Sequence, residues 1–174
     1  MYNWLVDLFP INRSLTGEGL RETLQYLNKL LPEMKINAVK SGTKVFDWEV
    51  PDEWKINQAY IENESGERVV DFADNNLHIV GYSIPIDEWL DLSELEEHLH
   101  SLPKQPNAIP YVTSYYNRNW GFCIEHSKRE ELKQGKYHVV IDSKIFSSQM
   151  NYGEVIIHGR ETKEILLSKL LLNI

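Results

Sequence analysis

Leucine recurs at Leu20, Leu24, Leu27, Leu30 and Leu31, the spacing of one apolar helix face, and Pro32 closes the run. The preceding Arg13-Ser14-Leu15-Thr16-Gly17-Glu18-Gly19 predicts the turn into that helix. A shorter helix is predicted before it, capped by Asn3, running through Phe9 and stopped by Pro10. From Met34 to Val39 apolar and polar positions alternate as in a strand, and Ser41-Gly42 ends it in a turn. Beyond that turn the pattern becomes β-rich. Strands are predicted over Val45 to Val50, Asn57 to Glu62, Arg68 to Phe72, Leu77 to Ser83 and Tyr137 to Asp142. Asn63-Glu64-Ser65-Gly66-Glu67 is hairpin-turn chemistry. Two capping boxes, Ser93 with Glu96 and Ser127 with Glu130, predict short helices, the first through about Ser101 and the second ended by Gly135. Two more strands follow, Tyr152 to Gly159 and a buried one over Glu164 to Ser168, before the apolar residues of Lys169 to Ile174.

This order predicts an α/β fold entered by helix, helix and strand, interrupted, and resumed. Residues 1–41 and 149–174 form an incomplete α/β domain, and residues 42–148 an inserted β-rich α+β domain. One mixed α+β domain is the alternative. Apolar termini need something to pack on, so the closing strands lead to the expectation that the chain is truncated as a sheet begins. Strand edges left open in this way predict self-association.

Composition narrows the function classes. The 174 residues carry 42% apolar and 25% charged side chains, as expected of a folded protein. A net charge of −8 argues against nucleic acid and anionic membranes as partners. No stretch approaches the roughly 20 apolar residues of a membrane span, and no signal peptide is visible at the start. Cys123 is the single cysteine, which excludes an internal disulfide and a cysteine zinc cluster and suits the cytoplasm.

Candidate chemistry is sparse. His98 and His100, read on one helix, stand about 200° apart and cannot share an ion. No His-Glu-x-x-His motif or other ligand spacing appears, so no metal ligand and no catalytic residue is assigned. Cys123 with His126 nearby is the minimum for thiol catalysis, but a cysteine inside a strand reads first as a buried hydrophobe. The segment from Ile109 to Phe122 concentrates Tyr111, Tyr115, Tyr116 and Trp120 beside Arg118. These rings either form the core of a small β domain or line a ligand surface, with Tyr115, Tyr116, Arg118 and Trp120 stacking a saccharide or gripping a peptide. The helix-opening loop of Arg13, Ser14, Thr16 and Gly17 could meet an anion through backbone N–H groups, but lacks phosphate-loop spacing and reads first as helix capping.

Several stretches together resemble a family. Asn12-Arg13-Ser14-Leu15-Thr16-Gly17-Glu18-Gly19, Ser41 to Trp48, Asn75 to Ser83, His98 to Pro103, Ile109 to Tyr116, Asn119 to Cys123 and Tyr152-Gly153-Glu154 are similar to the bacterial zinc aminopeptidase-like family associated with polysaccharide biosynthesis genes. Asn12 stands where that family would have cysteine. The resemblance implies a co-catalytic zinc peptidase architecture, with an inserted domain after the first strand. It also implies that the strand ending at Ser168 should continue into a Cys-His-Pro segment with the zinc ligands; Lys169 to Ile174 stands there instead. The expectation is therefore the amino-terminal portion of such a protein, holding no cofactor of its own although zinc belongs to the full-length parent. Without the zinc ligands it would be catalytically incompetent alone. A non-enzymatic saccharide- or peptide-binding module is the other expectation.

Overall fold

A computed structural model describes residues 2–161 and 165–168. The fold is mixed α/β with more strand than helix, and the chain divides into two compact units. One takes the described residues up to Glu53 and those from Ser147 onward; the other is Trp54–Phe146.

In the first unit, helix α1 (Tyr2–Leu8) is followed by α2 (Glu18–Leu30). The leucine stripe of α2 buries Leu20 and Leu24 against Met34, with Leu27 at the margin. Leu30 and Leu31 stay largely exposed, because the helix ends there rather than continuing across the cluster. Strand β1 (Lys35–Lys40) pairs antiparallel with the late strand β10 (Gln149–Glu154), in register from Lys35 opposite Glu154 to Lys40 opposite Gln149. The pair is locked at its open end: the Ser41 amide donates to the Ser148 carbonyl and the Ser148 amide to Ser41 Oγ, each at 3.0 Å. Between them β2 (Lys44–Val45) and β3 (Trp48–Glu49) form a small hairpin.

The second unit is built on a four-stranded sheet ordered β5-β4-β9-β6. Its strands are β4 (Glu53–Asn63), β5 (Arg68–Asp71), β6 (Ile86–Asp91) and β9 (Lys136–Phe146). The two-residue period of a strand sends Ala59, Ile61, Tyr137, Val139 and Ile141 to one face. There they meet Leu92 and Leu95 of α3 (Leu92–Leu95) and Leu99, Phe122 and Ile124. The parallel pair β7 (Leu99–His100) and β8 (Phe122–Cys123) carries two of these residues, Leu99 and Phe122, into the core. Helix α4 (His126–Glu130) follows. At the β4–β5 turn, Asn63 Oδ1 accepts from the amides of Ser65 and Glu67 at 3.0 Å, the local chemistry that makes asparagine a turn residue.

Several predicted elements differ. Asn3 lies inside α1 rather than capping it. Val45 to Val50 is a hairpin rather than one strand, turned at Phe46 with φ 53°. Leu77 to Ser83 is a 3-10 turn over Asn76–His78 and a bend, because Tyr82 takes φ 67° and the Ser83 amide returns to the Val80 carbonyl. The first capping box is Asp91 with Glu94, two residues before the expected Ser93 and Glu96. The helix consequently ends early, and His98 closes a 3-10 turn while His100 sits in β7. Ser127 lies within α4 and its hydroxyl bonds the Pro106 carbonyl, so Glu125 takes the cap position. The strand expected over Tyr152 to Gly159 stops at Glu154. Of the strand expected over Glu164 to Ser168, Glu164 lies outside the described residues, and Ile165 to Ser168 are exposed and in no strand. Lys169 to Ile174 also lie outside the described residues.

Candidate functional site

The helix-opening loop is held from within. Ser14 is buried and its hydroxyl donates to the Thr16 carbonyl; Thr16 Oγ1 donates to the Asp52 carbonyl at 3.2 Å. The Arg13 guanidinium donates to the Leu8 carbonyl, and burial lowers its pKa from the ordinary value. Gly17 takes the N-cap position at φ 108°, a conformation side chains resist, so no side chain caps α2 there. Just inside the helix Arg21 grips Glu53 with two bonds of 2.9 and 2.7 Å and Glu18 with a third of 2.9 Å. These carboxylates raise the Arg21 pKa further. The side chains of Arg13, Ser14 and Thr16 thus bond carbonyls of their own chain.

The aromatic segment separates into two environments. Tyr115 packs edge-on against buried Tyr82 at 5.1 Å between centroids, and Tyr82 stacks on Trp54 at 5.9 Å. Tyr111 reaches the Tyr115 hydroxyl at 3.5 Å, and burial, followed by that contact, pushes its own phenol pKa up. Trp120 instead stacks face to face on His98 at 3.7 Å, and its carbonyl meets His98 Nδ1 at 3.0 Å. Trp120 and His98 also border a cavity of about 540 Å³ with Glu88, Ser93, Glu94 and Glu97. Tyr116 and Arg118 lie on the exposed stretch between these environments.

Cys123 and its neighbours His78 and His126 are buried or hydrogen-bonded. Cys123 is fully buried, and desolvation pushes its thiol up to about 12, which leaves it protonated and unreactive at neutral pH. His126 pairs with Ser101 Oγ at 2.9 Å rather than with the thiol. His78, also buried, meets the Cys123 carbonyl at 2.7 Å. Burial, followed by the nearby Arg129 charge, lowers the pKa of His100. Among the described residues no group of three or more His, Cys, Asp or Glu side chains is arranged to hold a metal ion. The donor groups of the described residues therefore do not fit a catalytic zinc.

A further surface was not legible in the sequence. On the sheet face away from the core, Trp89 of β6 stacks on His138 of β9 at 5.0 Å and 11°. His138 meets Tyr60 of β4 edge-on at 6.2 Å, and the guanidinium of Arg68 on β5 lies 3.8 Å above the Tyr60 ring. One residue from each strand thus joins a row that crosses the whole sheet. Asp87 Oδ1 accepts from His138 Nε2 at 2.7 Å, and Asp71 pairs with Arg68 at the same distance. The spacing of Ile86 and Leu90 after Pro85 is the signal that could have found β6; its intervening charges hid the alternation.

Comparison with known proteins places these residues. A family model described as a domain of unknown function, DUF2172, matches residues 53–144, just over half of the chain. The chain belongs to the DUF2172 family. The family's segment contains the four-stranded sheet and the whole aromatic row. The chain is also 48% identical, over 97% of its length, to a Clostridium acetobutylicum protein named "Putative polysaccharide biosynthesis protein with aminopeptidase-like domain". It spans only 38% of that curated relative. A solved structure named as a putative peptidase, from the same organism, superposes with a TM-score of 0.84 at 49% identity, covering 87% of this chain and 36% of that one. These names bear out the aminopeptidase-like, polysaccharide-associated resemblance. No helix among the described residues is long and apolar enough to cross a membrane.

Proposed function

We propose that this chain is the non-catalytic, amino-terminal portion of a cytoplasmic aminopeptidase-like protein: residues 1–41 and 149–174 contribute to a peptidase α/β sandwich, and 42–148 form a domain inserted into it. The observation that carries this reading is the alignment itself, which uses 97% of this chain and only 38% of its relative. The pairing of β1 with β10 across the β-rich block supports the insertion. The occupied histidines and protonated Cys123 support the absence of hydrolysis by these residues. The purified chain, incubated with excess zinc and dialysed, is expected to retain well under one equivalent by elemental analysis and to leave aminoacyl nitroanilides intact. Equimolar retained zinc together with hydrolysis would overturn the proposal.

A second reading assigns the β-rich unit a saccharide- or peptide-binding role. Trp120 supports it, since it borders an acidic cavity, while like Tyr115 it also packs against the core. Its test is included in the titration below.

A further inference from the structure

The aromatic row lies on the face of the DUF2172 sheet away from the core. Its cross-strand pairs help hold the sheet, yet the outermost ring is left open to solvent. Here Trp89 stands on an edge strand with 50% of its surface open to solvent, braced from behind by His138. Holding an indole in one orientation removes the rotamer entropy that a ligand would otherwise have to freeze. Beside it Asp87 commits one oxygen to His138 while its side chain remains 75% exposed.

We propose that this face is a saccharide-stacking platform, with Trp89 as the ring on which a neutral sugar lies and Asp87 as the acceptor that orients its hydroxyls. The chemistry selects this occupant over others. A pyranose has an apolar C–H face that matches an indole and a rim of hydroxyls that matches carboxylates. Anionic glycans and nucleic acids are opposed by the charge of −8. The row is narrow, with the carboxylates of Asp71 and Asp87 beside it, which suits a ligand carrying both an apolar face and hydroxyl donors. The inference rests on the binding reading above for its ligand class, but places the ligand away from the Trp120 cavity.

The test is calorimetric titration of the full chain with cellopentaose, chitopentaose and maltopentaose, run in parallel on Trp89→Ala, Trp89→Phe, Asp87→Asn and Trp120→Ala. Circular dichroism melts check that each variant folds. The expected result is saturable binding of at least one oligosaccharide, weakened about tenfold or more by Trp89→Ala, less by Trp89→Phe and Asp87→Asn, and unchanged by Trp120→Ala. Trp89→Phe keeps a ring, so it decides the matter if the alanine variant does not fold. Binding that survives Trp89→Ala and fails in Trp120→Ala overturns the platform and leaves the binding reading standing. No binding of any of the three overturns both. Sedimentation showing a dimer that Trp89→Ala dissolves also overturns the platform, since a second copy would then cover it.

Discussion

Gly19→Ala is expected to destabilise the chain by about 3 kcal/mol or more, the upper end of what overpacking costs. A β-carbon at Gly19 would stand 1.9 Å from the carbonyl oxygen of Asn12 and 2.9 Å from its carbon. Both are backbone atoms, so no rotamer change relieves the clash. To accept the methyl group, the loop from Asn12 must pull away from α2, and this breaks the hydrogen bonds that fix it. Ser14 and Thr16 are buried in that loop, and their hydroxyls would lose carbonyl acceptors without gaining water. Urea denaturation followed by circular dichroism reads the change as a lowered midpoint. A loss under about 1 kcal/mol would mean that the loop yields easily and that the close approach is not a constraint.

Arg21→Ala is expected to cost about 3 kcal/mol, through what it leaves behind rather than what it removes. The Glu53 side chain is only 6% exposed, and both of its oxygens are held by the Arg21 guanidinium. Once the arginine is truncated, a nearly buried carboxylate loses the two charge-assisted bonds that offset its desolvation. The Glu18 contact adds little, because that side chain is 78% exposed and screened by water. Glu18→Ala should therefore fall within about 0.5 kcal/mol of the parent. The double change Arg21→Met with Glu53→Met should recover much of the loss, since it removes the buried carboxylate together with the arginine. If Arg21→Ala and Glu18→Ala prove equally mild, the Arg21–Glu53 pair is not the buried clamp described here.

Sequence legibility followed how far each signal was local. The leucine spacing of α2, the Asn63 turn and the alternation around Tyr137 to Asp142 are written within a few neighbouring residues, and all three appear in the fold. Leu77 to Ser83 reads as a strand, but its pairing is confined to isolated bridges at Ile79 with Phe122 and Gly81 with Thr113. Tyr82 turns the chain at a positive φ that a tyrosine side chain gives no reason to expect. The capping box moved by two residues because Asp91, at the end of a charged strand, caps as well as Ser93 does. The aromatic segment from Tyr111 to Phe122 drew attention through its density, yet Tyr115 is spent on packing. Trp89, Tyr60 and His138 come from three distant places and meet only through strand order, which no local pattern encodes.

The Ser41–Ser148 lock has a consequence for how the protein reaches its native state. These residues are 107 positions apart, so in a fully unfolded chain joining them costs about 4 kcal/mol of closure entropy, plus a constant. If the Trp54–Phe146 unit folds first, most of that length no longer wanders, and the remaining closure is short. The β1–β10 ladder is therefore expected to form late, waiting on the unit between its strands. Pulse-labelled hydrogen exchange would show it as delayed protection of the Val39 and Met150 amides, which face each other across the ladder, relative to those of Val139 and Ile141. Early protection of Val39 would instead assign the ladder to the folding nucleus.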